Sequence, residues 1–262
     1  MTALVVVLVA IGGALTVLAP VWALLTWGSV RERKRISRLS VSRCADVVSP
    51  GRRLCVVEGR SMPAAQPLVA PLSGEPCVWY FSEVEERVTS DGPSTVLVWQ
   101  SGGTMPFAVQ DRSGSVLVDG SLVHPDHQSK RIGHSPPVRR VVDEDVSSAR
   151  DSTHLQGLVA SGVLSQKSLE RRWWSSSLGW SVREYVLPVG EPLHVQGRPE
   201  LRAGRPVLGD GRRRHLVTGG TYEQVAANIE EDVRTSSGCL LMVAVAGPLL
   251  LLAGFLLVRT LG

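Results

Sequence analysis

Two long apolar runs without a charged residue lie near opposite ends of this 262-residue chain, and they constrain its fold more than any other feature. The first run extends from Ala3 to Trp27 and the second from Cys239 to Val258. A helix rises about 1.5 Å per residue and a bilayer core is about 30 Å thick, so each run is long enough to cross it. A cleaved signal peptide is the alternative for the first run, but it would need a basic n-region, which the sequence lacks. The sequence therefore predicts an integral membrane protein with transmembrane helices at 3–27 and 239–258 and a soluble domain between them.

The distribution of charge predicts how such a protein would be oriented. Six of the 28 Lys and Arg side chains lie between Arg31 and Arg43, in a juxtamembrane segment at 28–43, against the single carboxylate of Glu32. Positive residues beside a membrane helix favour the cytoplasmic side. We therefore expect a cytoplasmic domain, both termini on the outer side, and the lipid bilayer as a partner. Residues 44–238 carry 21 cations and 23 anions, so no nucleic acid is expected to bind.

The four cysteines do not form a pattern of paired thiols. Cys239 begins the second apolar run, which leaves Cys44, Cys55 and Cys77 in the domain, and none belongs to a C-x-x-C pair. An odd number of thiols argues against a disulfide framework, and the spacing excludes a metal site built from cysteine pairs. Cys77 could be imagined as a nucleophile, but the residues at 78–80 are typical of a core strand. We interpret this thiol as structural.

Residues 44–220 have the pattern of a mainly β (α+β) domain, either a small barrel or a sandwich. Short runs rich in β-branched residues alternate with turns that contain Gly or Pro. The predicted strands are Leu54–Glu58, Cys77–Val88, Thr95–Gln100, Phe107–Gln110, Ser115–Asp119, Ser181–Leu187, Leu193–Gln196, Pro206–Leu208 and His215–Thr218. The run Cys77–Val88 changes from apolar to alternating, which is typical of a strand that leaves a core.

Two segments depart from the strand pattern. Residues 121–165, rich in Ser, His, Asp and Arg, are interpreted as an insertion with a short helix near Thr153–Val163. Residues 221–235 are predicted to form an amphipathic helix, because Thr221 and Gln224 have the spacing of a capping box and apolar residues recur along one face. We expect this helix to pack on the sheet and to lead into the second transmembrane helix.

Few residues could carry chemistry. The chain has no phosphate-binding loop, dinucleotide-binding glycine motif, zinc-protease motif or nucleophile elbow. One metal-like cluster lacks a known ligand spacing, and we interpret it as polar residues of the insertion; its members are His124, Asp126, His127 and His134. We therefore predict no catalytic residue, no cofactor and no metal site. A hydrolase with an unusual site in the insertion stays as an alternative.

Two groups of residues are candidates for contact with a partner or a membrane surface. Adjacent residues on a strand face opposite sides, so one of Trp173 and Trp174 is expected to be half exposed. Three consecutive cations could meet phosphate or lipid headgroups; these are Arg212, Arg213 and Arg214. The alternative for the arginines is a charged turn that leads into the strand at His215.

Three segments each contain a turn between predicted strands, and they follow one another along the chain. They are Pro67–Tyr80, PLVAPLSGEPCVWY; Phe107–Asp119, FAVQDRSGSVLVD; and Glu184–Gly197, EYVLPVGEPLHVQG. Together they resemble the motifs of the GIDE-type domain, also called the "beside a membrane" domain. The resemblance implies structural roles for the shared residues, which are Pro71, Gly74, Cys77, Trp79, Tyr80, Asp111, Gly114, Asp119, Glu184, Gly190 and Gly197.

The best-known members of that family are mitochondrial E3 ubiquitin ligases, which carry a RING finger after the second membrane helix. A RING needs about eight Cys or His ligands, and four residues follow Val258 in this sequence, so we expect no RING here. The lack of a RING is typical of bacterial members. The resemblance therefore predicts a membrane-anchored, non-catalytic interaction or membrane-sensing domain with an unknown protein partner. The alternative is an E3 ubiquitin ligase-like accessory that acts without a RING of its own.

Overall fold

The structure is a computed structural model, and it describes residues 7, 10–14, 16–18, 20–21, 23–24, 27, 34, 40–47, 54–89, 92–125, 136–169, 176–209 and 215–261. The chain divides into two units. The β unit comprises Val41–Arg131 and Ser135–Tyr222, and the helical unit comprises Met1–Ser40, Ile132–His134 and Glu223–Gly262.

From Val41 onward the described residues form thirteen strands and three α-helices, and the described residues between 7 and 34 are helical as well. The strands are β1 (Val41–Ser42), β2 (Cys55–Pro63), β3 (Leu68–Val69), β4 (Pro76–Cys77), β5 (Trp79–Thr89), β6 (Pro93–Gly102), β7 (Phe107–Gln110), β8 (Ser115–Val118), β9 (Arg139–Val146), β10 (Ser176–Leu187), β11 (Pro192–Arg202), β12 (Arg205–Gly209) and β13 (Leu216–Gly219). The helices are α1 (Thr153–Ala160), α2 (Gln166–Leu169) and α3 (Tyr222–Leu261). Short 3₁₀ helices occupy Cys44–Asp46, Gly120–Val123 and Ala149–Asp151.

The larger sheet of the β unit closes on itself. Its strand order is β1-β2-β7-β8-β12-β11-β13, and β2 also pairs with β11. Strands β2, β7, β8, β12 and β11 therefore form a small barrel, in which each strand has a neighbour on both sides. The barrel is filled by buried apolar side chains, among them Val57, Phe107, Val109, Val118, Val195 and Leu208.

The smaller sheet of the β unit is open and antiparallel. Its strand order is β6-β5-β10-β9, so β6 and β9 are its edges. The two long central strands pair from Trp79 opposite Leu187 to Thr89 opposite Ser176. Because side chains alternate along a strand, β5 and β10 present one apolar face, which α1 covers with Leu155.

The segment predicted as an insertion at 121–165 contains strand β9, which belongs to this smaller sheet, and helix α1, which covers the sheet. Strand β9 pairs with β10 in antiparallel register. Helix α1 confirms the short helix predicted near Thr153–Val163. It begins after Ser152, whose Oγ accepts a hydrogen bond from the backbone N–H of Leu155 at 3.2 Å, as an N-cap does.

Helix α3 joins two elements that the sequence analysis treated separately. The predicted amphipathic helix at 221–235 and the predicted span at 239–258 lie in one continuous helix. Close packing also occurs within the helical unit, where a Cβ on Gly12 would lie 2.9 Å from the backbone N of Leu251 and 3.0 Å from the backbone O of Gly247. Glycine at position 12 is what allows the two backbones to approach so closely.

The mainly β character predicted for the domain is confirmed, but the two predicted spans and the localisation that rested on them are wrong. Of the helices that the described residues form, none combines the length and the apolar character needed to cross a membrane. The apolar run that starts at Cys239 continues a helix whose first turn contains Glu223. This helix therefore begins at Tyr222, well before the apolar run does. Of the 25 residues in the first run, 14 are described and all of these are helical, whereas most of segment 28–43 lies outside the described residues.

Candidate functional site

The first and third motifs meet at a buried carboxylate, Glu184 of β10, whose side chain is fully buried. Its oxygens accept three hydrogen bonds, from the backbone N–H of Leu72 at 2.9 Å, the backbone N–H of Ser73 at 2.8 Å and the hydroxyl of Ser82 at 2.7 Å. Gly74 closes the turn that contains Pro71, with a φ of 71° and its N–H donated to the oxygen of Ala70 at 2.9 Å. Because hydrogen bonds to an ionised group are strong, Glu184 holds this turn against the sheet.

The residues that follow this turn are part of the core. Cys77 is fully buried, and burial together with the nearby charge of Glu184 raises the pKa of its thiol to about 11. Trp79 is buried and donates its Nε1–H to the oxygen of Gly103 at 3.2 Å. Tyr80 packs against the buried cluster around Cys77. A thiol with such a pKa is protonated at neutral pH and is a poor nucleophile.

The second motif contains a carboxylate that organises the hairpin between β7 and β8. Asp111 accepts hydrogen bonds from the backbone N–H groups of Cys44 at 3.0 Å, Ser113 at 2.7 Å and Gly114 at 3.0 Å, and from the hydroxyl of Ser113 at 2.6 Å. Desolvation alone would raise the pKa of Asp111, but these hydrogen bonds outweigh it and lower the pKa to about 2. Asp111 therefore ties the hairpin to the 3₁₀ helix at Cys44–Asp46.

Asp119 ends the same motif and has a similar role. Its Oδ1 accepts hydrogen bonds from the backbone N–H of Ser121 at 3.0 Å and from the hydroxyl of Ser121 at 2.8 Å, which begins the 3₁₀ helix Gly120–Val123. Its Oδ2 lies 2.5 Å from Nη1 of Arg202. Desolvation would raise the pKa of Asp119, but these hydrogen bonds and the Arg202 charge lower it overall. Asp119 thereby connects β8 to the end of β11.

The remaining residues of the third motif are two glycines. Gly190 has a φ of 82° in the turn between β10 and β11, where its N–H donates to the oxygen of Ser61 at 2.8 Å and its oxygen accepts from Nη1 of Arg60 at 2.8 Å. Gly197 lies where β11 passes β12, and a Cβ there would be 3.2 Å from the oxygen of Gly209. Both positions fix backbone geometry.

A cavity of about 420 Å³ lies elsewhere on the inner face of the smaller sheet. Glu86 of β5 and Trp180 of β10 are opposite each other in register and line it, together with Ser177. The other walls come from residues 147–150, from α1 and from α2. Its size is within the range of small-molecule sites in proteins.

Sequence reasoning missed Glu86, although a signal for it was present. Glu86 shares a strand face with Val84 and Val88, and both of these are buried. A charged residue at an inward-facing position is more informative than an apolar one, because burial of an unpaired charge is costly. The alternation was interpreted as a strand that leaves the core, so the inward position of Glu86 was not recognised.

Comparison with protein families identifies the chain. A family model named GIDE, described as E3 ubiquitin ligase, matches residues 81–253, about two thirds of the sequence. The chain belongs to the GIDE family. The match contains the second and third motifs and begins directly after the first, which confirms the resemblance. No curated protein and no solved structure matches the chain.

In this GIDE-family chain, most of the predicted contact and metal-ligating residues lie outside the described residues. They are Trp173, Trp174, Arg212, Arg213, Arg214, Asp126, His127 and His134. His124 is described, and its ring packs edge-on against Phe81 with centroids 4.2 Å apart. Among the side chains that the structure describes, no three His, Cys, Asp or Glu residues form a group that could hold a metal ion.

Proposed function

We propose that the β unit of this GIDE-family chain is a non-catalytic domain that binds another protein. The observation that carries the proposal is the use of the three motif carboxylates. Asp111, Asp119 and Glu184 each accept hydrogen bonds from backbone N–H groups of a turn or of a 3₁₀ helix. Carboxylates engaged in this way hold a fold together, and their lone pairs are not directed at a substrate.

The thiols of the domain support the same conclusion. Burial and the charge of Asp111 raise the pKa of Cys44 to about 11, and Cys77 has a pKa of about 11 for the reasons given above. Burial also raises the pKa of Cys55. A cysteine that carries ubiquitin as a thioester must first attack as a thiolate. These cysteines are therefore poor candidates for that step.

The two edges of the smaller sheet suggest where a protein partner binds. Edge strand β9 has the sequence RRVVDEDV, in which five of the eight residues are charged, and charged edges resist pairing with another strand. Edge strand β6 is ten residues long, has the sequence PSTVLVWQSG, and contains no charge. Leu97 at its centre is 51% exposed. Within the described residues, β6 pairs with β5 alone.

The chemistry of β6 indicates the kind of segment that would bind there. Pairing with an edge strand depends mainly on backbone hydrogen bonds, and side chains set the preference. An uncharged edge with an exposed Leu97 favours an extended, uncharged, partly apolar segment. The register of β6 shifts opposite Val84 and Glu85, so the partner segment would pair on one side of this bulge.

A second candidate function is participation in ubiquitin transfer. The observation that favours it is the family match itself, whose description is E3 ubiquitin ligase. In this version the domain binds a ubiquitin-conjugating enzyme or its target, and the transfer chemistry belongs to that partner.

Site-specific photo-crosslinking tests the proposal. A benzophenone amino acid replaces Leu97 on β6 or, as a matched control, Leu201 on β11, which is 53% exposed. We expect a single crosslinked protein from position 97 in cells of the source organism, and none from position 201. Mass spectrometry should place the crosslink in an extended, uncharged segment of that protein.

The possible outcomes separate the alternatives. A ubiquitin-conjugating enzyme crosslinked at position 97 would favour the second candidate function. If the protein crosslinked at position 97 is a second copy of this chain, the β6 edge mediates self-association and does not bind a different protein. Equal crosslinking from positions 97 and 201, or none from position 97, would contradict the proposal. A purified chain that discharges ubiquitin from a charged conjugating enzyme faster than buffer does would contradict its non-catalytic part.

A further inference from the structure

The cavity beside Glu86 has features that the proposed protein-binding role does not use. No residue of β6 lines it, and none of the three motif carboxylates does. The residues that line it include one acidic residue, one basic residue, several serines and glutamines, and Trp180. A site of this composition can recognise a small polar molecule independently of the β6 edge.

Glu86 is the first feature that points to a ligand. Its side chain is only 4% exposed, on the same sheet face as the apolar core residues Val84 and Val182. Within the part of the chain that the structure describes, it makes no hydrogen bond and no ion pair. A nearly buried carboxylate that reaches solvent only through a cavity bears part of its desolvation cost, and a cationic group inside the cavity would offset that cost.

Ser177 is the second feature. Its hydroxyl is buried at the cavity wall and has no hydrogen-bond partner in the described structure. Buried hydroxyl groups are normally hydrogen-bonded, so this one also indicates a missing polar partner. Ser177 and Glu86 lie on the neighbouring strands β10 and β5, and rotation of the occluded Ser177 side chain is needed for its hydroxyl to accept from an ammonium group paired with Glu86.

Arg150 supplies the opposite charge. It lines the same cavity from the 3₁₀ helix Ala149–Asp151, and only its backbone N–H is engaged, by Oγ of Ser148 at 3.3 Å. It forms no ion pair with Glu86 or with any other described carboxylate. One unpaired anion and one unpaired cation therefore line a single cavity. Because Arg150 is exposed, water solvates its guanidinium in the free protein, so this cation favours an anionic group on the ligand without requiring one.

We infer that this cavity binds a free α-amino acid or a similar small zwitterion. Its ammonium group would pair with Glu86 and donate to Ser177, and its carboxylate would pair with the guanidinium of Arg150. Trp180 and Leu169 provide apolar surface for the side chain of the ligand. A cavity of about 420 Å³ accommodates a molecule of this size.

Isothermal titration calorimetry on the full chain tests this inference. The probes are the twenty common L-amino acids, followed, for the tightest binder, by the amine that lacks its carboxylate and the acid that lacks its amino group. Three variants are compared with the unmodified chain: Glu86→Gln, Arg150→Gln and Glu85→Gln. Glu85 is a matched control, since it neighbours Glu86 in sequence but faces Arg183 on the opposite side of the sheet, with Oε2 3.2 Å from Nη1 of Arg183.

We expect at least one amino acid to bind, and each fragment to bind at least tenfold more weakly than the whole molecule. Glu86→Gln and Arg150→Gln should each weaken binding about tenfold to a hundredfold, which corresponds to loss of a hydrogen bond to a charged group. Glu85→Gln should leave the affinity unchanged. Arg150 is exposed, so its variant tests the inference even if Glu86→Gln alters the fold.

The inference fails if none of the twenty amino acids binds at concentrations of about 10 mM, a level that detects even millimolar affinities. It also fails if Glu86→Gln and Arg150→Gln bind as tightly as the unmodified chain. Equal affinity for the amine and for the whole amino acid would show that Arg150 does not bind the carboxylate, and it would contradict the inference of a zwitterionic ligand. None of these results affects the crosslinking test at Leu97, so the two proposals fail separately.

Discussion

Glu184 and Glu86 are both buried carboxylates on the inner face of the same sheet, yet their surroundings differ completely. In the register of β10 and β5, Glu184 lies opposite Ser82 and Glu86 lies opposite Trp180. The first accepts three hydrogen bonds, two of them from the turn that contains Pro71. The second faces a cavity and has no partner among the described residues. Burial alone therefore does not distinguish a structural carboxylate from one that recognises a ligand.

The difference between the two carboxylates lies in whether the protein itself supplies hydrogen-bond donors to the charge. At Glu184 the chain supplies its own donors, so the charge stabilises one arrangement of the turn and the sheet. At Glu86 it supplies none, so the charge is a cost to the free protein. Proteins keep such costs mainly where binding or catalysis needs them.

The largest expected effect is on the Glu184 side of the comparison. Glu184→Gln replaces one accepting oxygen by an NH₂ group, which opposes one of the three donors. We expect a loss of about 3 kcal/mol in the free energy of unfolding, the range for disruption of a buried charged group. Urea denaturation of the full chain measures it. Glu85→Gln is the control, and its partly exposed ion pair with Arg183 should be worth less than about 1 kcal/mol.

Removal of one donor to Glu184 should have a smaller effect. Ser82→Ala deletes the 2.7 Å hydrogen bond from the hydroxyl but leaves the two backbone donors of the turn in place. We expect a loss of about 1–2 kcal/mol, the usual contribution of a hydrogen bond to a charged acceptor. The urea midpoint should fall without a change in the slope of the transition. A loss as large as that of Glu184→Gln would mean that the turn contributes nothing through its backbone donors.

The change in the free energy of unfolding should have the opposite sign when Glu86 is substituted. Glu86→Gln removes a buried charge that has no partner, and the amide that replaces it is still polar, so the gain is limited. We expect the free energy of unfolding to rise by about 1 kcal/mol in the absence of ligand. Thermal unfolding followed by circular dichroism provides the measurement. A destabilised variant would show that the carboxylate is already compensated within the free protein.

The smallest expected effect concerns Asp111, a carboxylate in a more exposed turn. Its pKa falls from an ordinary value of 3.8 to about 2 in the folded protein. A lowered pKa means that its contribution to stability is complete above about pH 3.8 and is lost as the pH falls through about 2. Asp111→Asn should therefore flatten the pH dependence of stability between these values. Urea midpoints measured across this range test it, and an unchanged pH profile would argue against the hydrogen bonds to Asp111.

The sequence predicted those parts of the fold that depend on local pattern. The hairpin with strands at Phe107–Gln110 and near Ser115–Asp119 was recognised, because a short apolar alternation flanks a turn with Asp111 and Gly114. Helix α1 was recognised within the segment Thr153–Val163. These features are set by residues that are close together in the chain.

Features that depend on distant contacts could not be predicted in this way. Pairing of β2 with β11, which closes the barrel, joins Val57 to Val195 across most of the domain. Strand β9 was missed, because its charges resemble those of a solvated loop. The inward position of Glu86 depends on a cover formed by residues 147–169, far along the sequence. The two predicted spans were wrong because none of the helices in the described residues is long and apolar enough to cross a membrane.

Parallel urea denaturation of Glu184→Gln and Glu86→Gln, each against the unmodified full chain and without added ligand, tests the central claim most directly. If Glu184 holds the fold and Glu86 is reserved for a ligand, the first variant should lose about 3 kcal/mol and the second should be as stable as the parent or more so. A similar loss in both variants would contradict the distinction between the two carboxylates.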